Sequence, residues 1–104
     1  MIAASKRPRF LVDLAEELSW LNQHAGPAVA ERWYQALKKT IHFLQQHPFI
    51  GRQRTDLKPD DIRSWRIKEF PRWLIFYSVR ENKQIVLMRV RSGNMNLVVL
   101  EMES

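Results

Sequence analysis

The 104-residue chain is 45% hydrophobic and 27% charged, which suits one folded core across residues 1–104, since a second would need roughly 100 further residues. Seventeen Lys and Arg against eleven Asp and Glu leave a net charge of +6, so the expected partner is acidic: nucleic acid, an anionic lipid surface or an acidic protein segment. With no cysteine, a disulfide framework, a thiolate nucleophile and a Cys-rich zinc site are excluded, and no apolar run approaches the ~18 residues of a membrane span.

The amino terminus, Met1 to Arg7, has too little apolar length for a signal peptide, so a soluble cytoplasmic protein is expected. Phe10, Leu14, Leu18 and Leu21 then recur at steps of four, four and three, the spacing of one helical stripe, with Pro8 suited to the first turn. Trp20 falls off that stripe and reads equally as an exposed anchor or as the edge of the core. The segment Asn22 to Pro27 breaks the pattern, and Pro27 opens a second helix with Ala30, Trp33, Leu37, Ile41 and Leu44 on its stripe. Lys38 and Lys39 read as its solvated surface, and Pro48 stops it. Two such helices across a short loop form an antiparallel hairpin.

After Pro48 the period changes to two. Ile62 to Glu69 puts Trp65 and Ile67 on one side of a strand and Ser64, Arg66 and Lys68 on the other. Trp73 to Val79 is apolar on both faces, as a central strand should be. Arg80 to Lys83 is a polar turn, and Gln84 to Arg91 follows as a last strand. A weak signal over Ile2 to Arg7 adds a first strand. The expected fold class is therefore α+β: an antiparallel sheet of three to four strands with the amino-terminal helical hairpin packed on one face, in the order β-α-α-β-β-β.

Charge is concentrated late in the chain, where residues 52–91 carry eleven basic and five acidic side chains. Strict alternation places Ile85, Leu87, Arg89 and Arg91 on one face of the last strand. Arg66, Lys68, Arg89 and Arg91 then share the sheet face left open by the helices, and with Ile85 and Leu87 they form the candidate binding surface. A slip of one residue would reverse that assignment. His24, His42 and His47 lie in the helical half, and the spacing of the last two does not suit a metal site on one helical face, so no metal or cofactor is expected.

The stretch His47-Pro48-Phe49-Ile50-Gly51-Arg52, with Asp56-Leu57, Ile62-Arg63-Ser64, Phe70, Trp73 to Tyr77, Leu87 to Gly93 and Asn96-Leu97, resembles the ParE branch of the RelE/ParE toxin superfamily, also called plasmid-stabilisation proteins. Pro8 and Asp13-Leu14 extend the match to the first helix. The resemblance implies the toxin of a type II toxin–antitoxin module, neutralised by a cognate antitoxin. It further implies one of two targets: DNA gyrase, which ParE-like members inhibit, or messenger RNA on the ribosome, which RelE-like members cleave.

The two activities make different demands on a site. Cleavage at a 2′-hydroxyl needs a proton acceptor, a proton donor and cations on the phosphorane. Arg66, Lys68, Arg89 and Arg91 supply cations, but Ser92 stands where many relatives carry histidine, and residues 93–97 hold no Arg, His or Tyr. A non-enzymatic gyrase inhibitor is therefore the favoured reading, ahead of the endoribonuclease. A basic domain that binds nucleic acid directly comes last, for want of a recognition motif. On any of the toxin readings, an acidic antitoxin tail that folds on binding suits a surface with Ile85 and Leu87 beside Arg89 and Arg91.

Overall fold

Both helices begin at prolines. In the computed structural model, which describes residues 4–92, α1 runs Pro8–His24 and α2 runs Pro27–Gln46, each with proline in its first turn. There the missing N–H is one that a helix end leaves unpaired anyway. The N–H groups of Ala25 and Gly26 both donate to Leu21 O, at 2.8 and 3.0 Å, and close α1. Gly26 has φ 93°, a conformation that side chains disfavour, and it turns the chain into α2. The predicted stripes are the buried ones: Phe10 and Leu21 of α1, and Ala30, Trp33, Leu37, Ile41 and Leu44 of α2.

The strands β1 (Ala4–Lys6), β2 (Arg52–Gln53), β3 (Arg63–Ile67), β4 (Phe70–Val79) and β5 (Ile85–Ser92) form one sheet in the order β1-β5-β4-β3-β2. The class is α+β as expected, but the sheet has five strands rather than three to four, because β2 is only two residues long and too short to show a period. Nor is the sheet wholly antiparallel: β1 runs parallel to β5, with Ala4 opposite Ile85 and Lys6 opposite Leu87. No hairpin joins these two strands, so no turn dictates their direction.

The sheet carries a core on each face. Ile67, Ile75, Tyr77, Ile85, Leu87 and Val90 pack with the helical stripes in the larger cluster, joined by Trp65 and Trp73 at its margin. On the opposite face Leu57, Ile62, Phe76, Val86 and Met88 form a second cluster with Leu74. This corrects the expectation of an open face, since the connection from β2 to β3 folds back over part of it. Leu57 and Ile62 are the apolar residues that draw that segment down. Arg54, also buried, ties it to the sheet through Ser64 Oγ at 3.3 Å while its guanidinium lies 5.7 Å from the Phe76 ring.

The β3–β4 register shifts between Arg66 and Ile67, and alternation also fails in β5. Phe76 is opposite Arg89 but Tyr77 is opposite Leu87, so Met88 has no counterpart on β4. One inserted residue reverses which face every later side chain takes. Ile85 and Leu87 therefore join the helix-side core, while Arg89 and Arg91 fall opposite Phe76 and Leu74.

Candidate functional site

Pairing with β1 covers β5 only over Ile85 to Leu87, and α1 lies against the stretch beyond. There Asp13 is buried and accepts four hydrogen bonds from β5. Arg89 Nε and Nη2 donate at 2.6 and 2.9 Å, Val90 N–H at 3.1 Å and Arg91 Nη1 at 3.4 Å. Arg91 Nη1 also donates to Glu16 Oε1 at 3.0 Å. The side chains of Arg89 and Asp13 are 3% and 1% exposed, so this pair fastens α1 to the sheet and offers no surface. Asp13 follows Phe10 by three residues, on the same stripe. A carboxylate among buried positions demands a buried cation or several N–H donors, and that was the sequence signal for this node.

A second node fixes the segment between α2 and β2. Tyr77 Oη donates to Pro48 O at 2.8 Å and accepts from Gly51 N–H at 2.9 Å. Burial pushes the Tyr77 phenol above its ordinary pKa, because the phenolate would lose hydration. Arg63 Nη1 donates to Phe49 O at 3.2 Å and to Gly51 O at 2.9 Å, and its guanidinium sits 5.4 Å from the Phe49 ring. The loop thus held exposes Phe49 and Ile50.

Six residues were expected on one surface, and the structure separates them. Arg66 and Lys68 are exposed, as predicted. Ile85, Leu87 and Arg89 are buried, and Arg91 is 18% exposed and tied to α1. The physical reason is twofold: the bulge at Met88 changes the parity of β5, and the carboxylates of α1 draw both late arginines toward the helix. What gathers beside Arg66 and Lys68 instead is a groove along β3. It wraps around the sheet edge, with Phe43 and Trp65 from the helix side, Leu74 from the far face, and Lys39 of α2 and Arg52 of β2 in its lining. Among the described residues Lys39, Arg66 and Lys68 make no ion pair.

Nearby, Arg54 grips Asp56 with Nε to Oδ1 at 2.9 Å and Nη2 to Oδ2 at 2.6 Å. Those hydrogen bonds hold the Asp56 carboxyl at about 2, below its ordinary 3.8, and raise the Arg54 guanidinium. The histidines stand elsewhere. His24 stacks on half-exposed Trp20 with centroids 4.5 Å apart, and His47 packs on Phe43 at 4.8 Å. No group of three or more His, Asp or Glu among the described residues is arranged to hold a metal, and no helix among them is long and apolar enough to cross a membrane.

Known proteins resemble this chain in sequence and in fold. The sequence pattern of the family described as ParE toxin of type II toxin–antitoxin system, parDE, matches residues 6–97. Toxin ParE3 of Caulobacter vibrioides is 29% identical over 75 residues, which cover 72% of this chain and 70% of the relative. A solved chain of the chromosomal ParDE system from P. aeruginosa superposes with a TM-score of 0.72 at 18% identity, covering 88% of this chain and 96% of its own.

Proposed function

Because the chain belongs to the ParE toxin family of type II toxin–antitoxin systems, we propose that it inhibits DNA gyrase by binding it, and that a small antitoxin encoded beside it prevents this in the cytoplasm. The supporting observation is that, among the described residues, the exposed cations Arg66 and Lys68 have neither a histidine nor a tyrosine beside them in the groove. Both hydrogen-bonding roles of the Tyr77 hydroxyl are committed to the backbone at Pro48 and Gly51. Strand scission at a 2′-hydroxyl requires a base and an acid at the reacting atoms. A binding inhibitor requires only an interface, where exposed cations speed encounter with an acidic partner and apolar side chains hold it.

Arg66 and Lys68 are the residues on which this reading rests for direct contact. Arg89, Arg91, Ile85 and Leu87 contribute by holding β5 against α1 and the core. Purified protein is assayed in parallel for gyrase supercoiling and for ribosome-dependent transcript cleavage. Loss of supercoiling with intact transcripts is the expected result. Cut transcripts with gyrase unaffected would replace the proposal with the endoribonuclease reading.

A further inference from the structure

Residues 47–51 carry the chain from α2 to β2. The Ile50 N–H donates to His47 O at 3.1 Å, and in this turn Pro48 and Gly51 are buried while Phe49 and Ile50 are 57% and 42% exposed. Neither exposed side chain lines the groove along β3; both stand at the tip of the turn. Leu11 and Val12 of α1 are comparably exposed, but there the helix itself holds the backbone. The turn has no such repeat to hold it. Four hydrogen bonds tie it instead to two side chains of the sheet, Tyr77 and Arg63.

Apolar area left in water forgoes the stabilisation that burial would bring. A loop braced in that state enters a complex with little ordering cost. Its shape also selects the occupant. A projecting tip fits a preformed pocket on a folded partner, whereas a tail that folds on binding brings no pocket and needs a groove on this chain. Charge narrows the choice further. Residues 32–55 contain no Asp or Glu and expose Arg32, Lys38, Lys39 and Arg52, so a second copy would set like charges against one another, while an acidic surface is drawn in. Arg52, opposite Ser64 of β3, joins the tip to the surface that bears Arg66 and Lys68.

We infer that Phe49 and Ile50 are the apolar anchor of the gyrase contact, entering a hydrophobic pocket on an acidic face of that enzyme while Arg52, Arg66 and Lys68 meet its carboxylates. The inference rests on the gyrase reading and deepens it by naming the part of this chain that penetrates the target. The tip governs how slowly the complex separates, and the cations govern how quickly it forms. Tyr77 and Arg63 are positioning residues for the tip.

The test measures binding to purified DNA gyrase and inhibition of supercoiling for wild type, for Phe49→Ala, Ile50→Ala and for the control pair Leu11→Ala, Val12→Ala. All four side chains are exposed, so urea midpoints should stay near that of wild type. In a measurement that needs no variant, hydroxyl-radical labelling of Phe49 is compared in the free and gyrase-bound wild-type chain. About tenfold or more weaker binding and inhibition are expected for the tip variant, with the control pair within about threefold of wild type and Phe49 labelling severalfold lower in the complex. Arg52→Glu is expected to slow association and to flatten its salt dependence. Wild-type inhibition by the tip variant, or Phe49 labelled as readily in the complex as free, overturns the inference while the gyrase reading stands. Equal losses in the tip and control pairs overturn it too, because they would mark general apolar adhesion. Loss of binding to the protein of the adjacent reading frame, with gyrase inhibition intact, would reassign the tip to the antitoxin. A wild-type chain that leaves supercoiling unaffected overturns the gyrase reading and this inference with it.

Discussion

Gly51 and Tyr77 are in direct contact through the backbone of one and the ring of the other. The Gly51 N–H donates to Tyr77 Oη at 2.9 Å, and a Cβ added at Gly51 would lie 2.8 Å from Tyr77 Cε1. Glycine is required here by this close approach. Gly51→Ala is expected to displace the ring or the loop and to destabilise the protein by about 1–3 kcal/mol. Tyr77→Phe keeps the ring but strands the Gly51 N–H and the Pro48 carbonyl, at a cost of about 1–3 kcal/mol. Urea unfolding measures both, and an unchanged midpoint in either variant would refute the role given to this contact.

The carboxylate of Asp13 joins two arginines and one strand N–H of β5. Replacing it with alanine is expected to cost about 3–5 kcal/mol, because a buried charge pair loses one member. Arg91→Gln loses the longest of the contacts to Asp13, at 3.4 Å, and the link to exposed Glu16, and is expected to cost less than Asp13→Ala. Calorimetric melting of the two variants checks the ranking, which fails if Arg91→Gln proves the more damaging.

The Arg54–Asp56 pair sets an acid limit. Asp56 is held at about 2, against an ordinary 3.8, so folding favours its ionised form. The stabilisation is complete above the ordinary value and disappears as pH falls through the folded one. Relative to Asp56→Asn, wild type should hold an advantage near neutral pH that shrinks between about 4 and about 2. Denaturant midpoints taken down through that window report it. A difference independent of pH would contradict the assignment.

The second core makes the β2–β3 connection part of the folded unit. Leu57→Ala is expected to cost about 2–5 kcal/mol and Phe76→Ala about 3–5 kcal/mol. Hydrogen exchange at Arg54 N–H, which donates to Ile62 O at 2.8 Å, should quicken in Leu57→Ala. If that amide exchanged at the wild-type rate, the connection would not depend on the apolar cluster beneath it.

Both helices, their prolines and their buried stripes were legible in the chain, as were β3, β4 and the turn at Arg80 to Lys83. Residues close in sequence create those patterns. The resemblance to ParE was legible too, carried by short motifs that are specific only in aggregate. They begin at Pro8, and the last pair, Asn96-Leu97, lies outside the described residues. The candidate surface was half right: Arg66 and Lys68 are exposed, whereas Ile85, Leu87 and Arg89 are buried. One unpaired residue at Met88 undid the alternation, and nothing in Val86-Leu87-Met88-Arg89 marks it.

Composition and periodicity sufficed for the α+β class, the helical hairpin and the basic character, because an element's backbone geometry dictates its own repeat and charge is additive along a chain. The direction of β1, the existence of β2, the covered far face and the fate of each arginine depended on tertiary contact. Asp13 and Arg89 stand 76 positions apart, and which cation a buried carboxylate takes is settled only when helix and strand close on each other.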